Sequence, residues 1–213
     1  MTENKTSSGS KNPEPSETDQ VKRGKIIILV APSGAGKTTL ARRLLNDFPD
    51  MKFSVSATTR PPRSHEVHGK DYFFISPEEF DAAVKRNEFL EWEEFYGGRR
   101  YGSLISKVEK ELKKGYFILF DIEVKGAMNI KSQYGDEALA VFIKPPSDEV
   151  LIERLKNRGT ESDETLQLRL DRARMELTYA DKFDHVIVND DLERCYKELH
   201  SLVHSFMNQS KTH

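Results

Sequence analysis

Lys37 and Thr38 close the segment Ala31-Pro32-Ser33-Gly34-Ala35-Gly36-Lys37-Thr38, which directly follows an apolar run and opens a helical stretch. That is the context a phosphate-binding Walker A loop requires. Glycines let backbone N–H groups turn inward around phosphate oxygens without steric cost, and the helix N-terminus adds partial positive charge. Ser33, Gly34, Ala35, Gly36, Lys37, Thr38 and Thr39 are thereby candidates to hold ATP, with Lys37 reaching the β- and γ-phosphates and the Thr38 hydroxyl ligating Mg²⁺. The usual pattern begins with Gly where this chain has Ala31; its methyl group fits if the residue sits at negative φ near the strand end. A second run, Phe117-Ile118-Leu119-Phe120-Asp121, ends an apolar stretch in a carboxylate. Asp121 is therefore a candidate to act on Mg²⁺ directly or through water, although a strand ending in Asp is common by chance.

Arginines cluster further along. Arg154 and Arg158 are four residues apart, on one face of a helix if it continues that far. Gly159 would end that helix, and Arg169 follows on the next one with Arg172 and Arg174 close behind. The plainer explanation is a helix pair laced with ion pairs to Glu153, Glu161, Glu164 and Asp171. His65 and His68 have no further ligand in sight that would make them a metal site. Cys195 is the only cysteine, which excludes an internal disulfide and multi-cysteine zinc ligation.

These residues need a scaffold. At 213 residues the chain fits one domain with inserted subdomains. The run 26–30 is continuously apolar and β-branched, as a central strand covered on both faces must be. Further apolar runs at 116–120, 139–143 and 185–188 alternate with helix-like segments at 37–47, 124–133, 147–157, 164–180 and 192–207. Strands alternating with helices predict an α/β fold, a three-layer α/β/α core around a parallel sheet. Two stretches break the rhythm: 53–103, with short strands expected at 53–56 and 72–75 and a helix at 77–86, and 147–172, around Arg158-Gly159-Thr160. Interruptions of such a core commonly carry binding surfaces, so the first reads as a substrate-binding insertion and the second as a lid.

Outside the domain at 24–208, tails are expected at 1–23 and 209–213; the first is rich in Ser, Pro, Glu and Lys and predicts disorder. It has no apolar core for a signal peptide and no acid-poor, Arg-rich character of a transit peptide. No apolar run approaches the roughly 20 residues that cross a bilayer, and the lone thiol suits a reducing compartment, so a cytoplasmic location and no membrane partner are expected. A formal net charge of −2 argues against a protein that coats nucleic acid. No protein partner is deducible from the residues.

The stretch Ser54-Val55-Ser56-Ala57-Thr58-Thr59-Arg60-Pro61-Pro62-Arg63, then Glu66, Gly69-Lys70-Asp71-Tyr72-Phe73-Phe74, Glu91-Trp92 and Tyr101-Gly102-Ser103, closely resembles the guanylate kinase family. The resemblance runs over 25–207. It implies a P-loop core with an inserted GMP-binding subdomain and a small helical lid, and transfer of the ATP γ-phosphoryl group to GMP in purine nucleotide metabolism and GMP recycling. By the same resemblance Arg60, Arg63, Tyr72 and Tyr101 hold the GMP phosphate, and Ser56, Glu91, Ser103 and Glu123 recognise guanine. Glu123 stands where many relatives have Asp. Arg154, Arg158 and Arg169 would supply cations to the transferred phosphate, and Asn189 would lie near the adenine.

The chemistry of the residues agrees. A nucleoside monophosphate carries close to two negative charges, and planar guanidiniums pair with its oxygens two at a time. Guanine offers N1–H and a 2-amino group that one ionised carboxylate can accept together, whereas adenine N1 would turn a lone pair toward Glu91. Taken singly, each element has a duller account. Arg60 and Arg63 around two prolines could be a solvated turn, Glu91-Trp92 a surface carboxylate beside a core aromatic, and Tyr72 with Phe74 one face of an edge strand. The rivals are a guanylate-kinase-like binding scaffold, against which Lys37, Thr38 and the arginines speak, and a kinase for another nucleoside monophosphate. A regulatory GTPase is disfavoured because the Asn-Lys-x-Asp string is absent.

Overall fold

The computed structural model describes residues 22–95, 97–156 and 163–209; most of the expected tails, and Arg158, lie outside the described residues. The elements in chain order are β1 (Ile26–Val30), α1 (Lys37–Asp47), β2 (Met51–Phe53), β3 (Ala57–Thr58), β4 (Phe73–Phe74), α2 (Pro77–Lys85), β5 (Phe89–Phe95), β6 (Arg99–Leu104), α3 (Ile105–Leu112), β7 (Phe117–Asp121), α4 (Val124–Tyr134), β8 (Ala138–Lys144), α5 (Asp148–Lys156), α6 (Asp163–Leu177), β9 (His185–Val188) and α7 (Leu192–Asn208). Five strands pair in parallel in the order β2-β7-β1-β8-β9. Every residue of β1 is buried, because successive side chains enter opposite layers. Ile27 and Leu29 pack with Leu40, Leu44, Leu199 and Val203 of α1 and α7, while Ile26, Ile28 and Val30 pack with Val108, Leu112, Ala127 and Ile130 of α3 and α4. The α/β architecture expected from the alternation of runs is the one observed.

Arg23, expected in the tail, is part of the folded chain. It makes a bidentate pair with Glu109 at 2.7 and 2.9 Å and a longer contact with Glu137 at 3.4 Å. Both partners are distant in sequence, so no local pattern announces the anchor.

The first interruption builds a second, mixed sheet in the order β4-β3-β6-β5, with its own small core of Ala57, Phe80, Ala83 and Phe89. The strand expected at 53–56 is displaced. Met51–Phe53 instead extends the parallel sheet beside β7, and a last bond from Ser54 N–H to Leu119 O at 2.9 Å ends that pairing. Residues 54–56 then carry the chain across to the second sheet. α2 begins where Ser76 and Glu79 cap each other's backbone N–H groups ahead of Pro77. The hairpin of β5 and β6, and α3 after it, were not anticipated. The polar residues of β5 border a cleft instead of following a simple core alternation, and the signal available was the Gly97-Gly98 turn, where both glycines have positive φ.

Gly102 lies between Tyr101 and Ser103 on β6, where a Cβ would stand 2.7 Å from Trp92 Cβ and 2.9 Å from Glu91 O. Gly102→Ala is therefore expected to destabilise the chain by about 1–3 kcal/mol through overpacking, read as a lowered urea midpoint at unchanged slope. An unaltered midpoint would show that the hairpin can spread to accept the methyl group.

Candidate active site

β1 and β7 run side by side in register from Ile26↔Ile118 to Leu29↔Asp121, so their C-terminal ends share one rim. The helices that follow them, α1 and α4, carry no acidic residue in the first turn. Their N-terminal dipoles thus offer positive potential at the rim where open α/β sheets bind ligands. Gly36 caps the N-terminus of α1 with a φ of 94°, a left-handed conformation that glycine adopts without strain. A Cβ there would also lie 2.5 Å from Asn189 Nδ2.

Asn189 braces the loop from behind. It is 4% exposed, donates Nδ2–H to Ala35 O at 2.7 Å, and receives Arg154 Nη2–H on its own carbonyl at 3.0 Å. Its backbone N–H is held by Lys144 O at 2.8 Å. Arg154 is thus drawn to the end of β9. Ser33, Gly34, Gly36, Lys37 and Thr38 wall a recess of about 300 Å³ that Arg169 and Arg172 border from α6. Ala35 sits beneath it, and Thr39 is exposed on α1 outside its wall. Lys37 Nζ lies 2.5 Å from Asp121 Oδ1 and 3.2 Å from Ile122 O.

Between the two sheets opens a larger cleft of about 1150 Å³. Ser56, Tyr72, Glu91, Tyr101 and Glu123 line it, with Lys37 and Asp121 at the far end. Ser103, 1% exposed, donates Oγ–H to Glu91 Oε1 at 2.7 Å. Burial pushes the Glu91 carboxyl above the usual range; the Ser103 hydrogen bonds oppose this and the Glu123 charge adds to it. Tyr72 and Tyr101 meet edge to face at 5.9 Å. Lys37 and Glu123 line both recesses, which therefore share a wall.

Two of the expected arginines stand apart from this wall. The Arg60 guanidinium lies 4.9 Å from the Tyr72 ring centroid and is clasped by Glu66. Arg63 is exposed, and its backbone N–H donates to the same carboxylate at 2.8 Å. The sequence assigned no role to Glu66 or Glu176, and placed Arg172 in the lid region without settling its contact. Arg172 bonds Glu123 at the seam of the two recesses and contacts Glu176 at 3.3 Å. Glu176 is 8% exposed, and burial raises its carboxyl above the usual range. Arg174 fits the plainer account of the charged helices, contacting Asp148 at 3.1 Å and Asp171 at 3.9 Å.

A strand, a glycine loop and a helix facing a carboxylate- and tyrosine-lined cleft across one shared wall define a P-loop nucleotide kinase architecture. The comparison with known families is specific. Residues 23–206 match the guanylate kinase family model, and the chain belongs to that family. It is similar to the guanylate kinase of Bacteroides thetaiotaomicron, 49% identical over 87% of this chain and 91% of that protein. The guanylate kinase of Salinibacter ruber is 50% identical over 86% of this chain and 97% of its own length. Among solved structures, guanylate kinase from Anaplasma phagocytophilum superposes with a TM-score of 0.66 at 30% identity, covering 89% of each chain.

Asn189→Ala removes the donor that satisfies the Ala35 carbonyl. It is expected to destabilise the fold by about 1–3 kcal/mol and to weaken an ATP analogue while leaving GMP affinity unchanged, by calorimetric titration. Equal weakening of both nucleotides would contradict a role confined to the loop.

Proposed function

We propose that this chain is a guanylate kinase, an ATP:GMP phosphotransferase, and that the two recesses divide the substrates between them. The observation that carries the assignment is the shared wall: Lys37 borders both the loop recess and a cleft whose half-buried carboxylate, Glu91, is held ready by Ser103. ATP phosphates occupy the loop, cradled by the N–H groups of 33–38 and drawn by Lys37 from its contact with Asp121. GMP occupies the cleft. Glu91 accepts from guanine N1–H and the 2-amino group, Ser56 and Ser103 add polar contacts, and Glu123 sits at the nucleoside end. Tyr72, Tyr101, Arg60 and Arg63 hold the phosphate. Relatives' resemblance and the chemistry of guanine support this partition.

The nucleophile is a GMP phosphate oxygen, already largely ionised near pH 7 because the second phosphate pKa is about 6. No general base is needed. Lys37 and the arginines Arg154, Arg158 and Arg169 serve to spread the charge that develops as the phosphoryl group passes in line between the two oxygens. Closure of the insertion and the lid would exclude water, which competes as an acceptor. Mg²⁺ suits this site, since the Thr38 hydroxyl and Asp121 carboxylate are hard oxygen donors. Among the described residues no group of three or more His, Cys, Asp or Glu could hold a metal alone, which fits an ion that arrives on its nucleotide's phosphates. Bound there, it would neutralise charge on the β- and γ-oxygens. Among the described residues no helix is long and apolar enough to cross a membrane; both substrates are nucleotides of the cytoplasm, where we place the reaction.

Lys37→Ala is expected to lower kcat by about 10²–10³-fold while GMP affinity and melting temperature hold, by coupled ADP assay and calorimetry. Near-normal turnover would remove the loop lysine from the mechanism. The raised pKa of Glu91 carries a second expectation. Protonated Glu91 cannot accept both guanine donors, so guanosine binding is lost on acidification with a midpoint above the ordinary 4.5. Guanosine, having no phosphate, keeps the acceptor's own ionisation out of the titration. Glu91→Gln should bind guanosine weakly at every pH; a wild-type midpoint at or below 4.5 would contradict the assignment.

A further inference from the structure

Arg60 and Glu66 are both shielded from solvent, with side chains 8% and 7% exposed. Arg60 Nη1 donates to Glu66 Oε2 and Nη2 to Oε1, each at 2.6 Å. The other Nη1 hydrogen goes to Pro61 O at 3.0 Å. A guanidinium presents five N–H donors in a rigid plane. Three are thus occupied; the other two, Nε–H and the second Nη2–H, lie on a single edge, and the Tyr101 hydroxyl is a further hydrogen-bond partner of the same guanidinium. That edge has the spacing to take two oxygens of one phosphate.

The same Glu66 carboxylate accepts the Arg63 backbone N–H at 2.8 Å. One side chain therefore fixes the plane of one arginine and the main chain of the other. Tyr72 and Phe74 flank the Arg60 guanidinium at 4.9 and 5.6 Å, but ring faces attract a cation without setting its rotation. Glu66 stays ionised at any working pH, held down to about 2 chiefly by the Arg60 side chain and then by the Arg63 N–H. By charge alone a carboxylate beside a phosphate site is a liability. Bidentate pairing with Arg60 offsets that charge and leaves Glu66 free to set the guanidinium's orientation.

We propose that Glu66 is a positioning residue for the acceptor phosphate, clamping Arg60 end-on so that its Nε–Nη2 edge faces the phosphate and anchoring Arg63 beside it. The proposal rests on the guanylate kinase assignment above. The opposite reading of the same contact is a placeholder, a carboxylate that GMP must displace. The two differ in sign.

The test compares GMP, guanosine and an ATP analogue on wild type, Glu66→Gln and Glu66→Asp by calorimetric titration, with KM and kcat from ADP formation. Glu66→Gln is expected to weaken GMP by about 10–100-fold, the scale of a 1 Å misplacement. Guanosine and the ATP analogue should bind as before, and KM should rise more than kcat falls. Glu66→Asp, whose shorter arm cannot span both arginines, should show a smaller loss confined to GMP, and it serves if the glutamine variant does not fold. GMP binding that is unchanged or tighter in the variants overturns the proposal, as does an equal loss of guanosine, which would mark a merely structural role. A wild-type chain that binds GMP no better than guanosine and forms no ADP from it would instead sink the kinase assignment itself.

Discussion

A triphosphate and a monophosphate of like charge must be brought within reacting distance, and the protein is organised around that repulsion. Two unit charges 4 Å apart interact by about 4 kcal/mol at an effective dielectric near 20, and each nucleotide brings more than one. The answer in the fold is a rim at which β1 and β7 end together and two helix N-termini converge without an acid in their first turns. Lys37 stands at this rim with its ammonium against Asp121, a cation and a metal-suited carboxylate at one point. The parallel sheet beneath is what keeps the rim rigid, since both of its faces are covered by helices through buried aliphatic layers.

The side proposed for the acceptor is built differently. It is carried by a second sheet with a core of its own, so the cleft lies between two packed bodies instead of within one. Such a seam can narrow around a ligand with little repacking. Its polar groups are held by neighbours: Glu91 by Ser103, Arg60 by Glu66, and Glu123 by Arg172 of α6. The last contact ties the cleft to the helix that also carries Arg169. The small core of Leu151, Leu155, Leu170 and Ala173 likewise joins α5 to α6, which makes the helices that carry Arg154 and Arg169 one packed unit.

The phosphate loop was legible because its chemistry is local: glycine turn, lysine and helix start must be contiguous to work. The central strand was legible for a similar reason, since burial on both faces leaves an unbroken apolar run in 26–30. Contacts between remote residues were not. Nothing near Asn189 announces that its amide closes on Ala35, 154 positions away, nor does anything near Arg23 point to Glu109. The hairpin of β5 and β6 escaped because Glu91, Glu93 and Glu94 break the alternation that marks a half-buried strand. The displaced strand at 51–53 reflects a chain that changes sheets within a few residues, a tertiary choice no short window contains. Arg60 and Arg63 were assigned together through the family resemblance of their motif, whereas the carboxylate they share, Glu66, is seen as their partner only when the turn is folded.

The most direct measurement supplies the purified wild-type chain with ATP and magnesium and follows ADP formation with GMP, AMP, dTMP, CMP and UMP in parallel. The account predicts rapid turnover with GMP alone, at a preference set by the paired donors of guanine against the Glu91 carboxylate. Comparable turnover with AMP, or none with GMP, would contradict it.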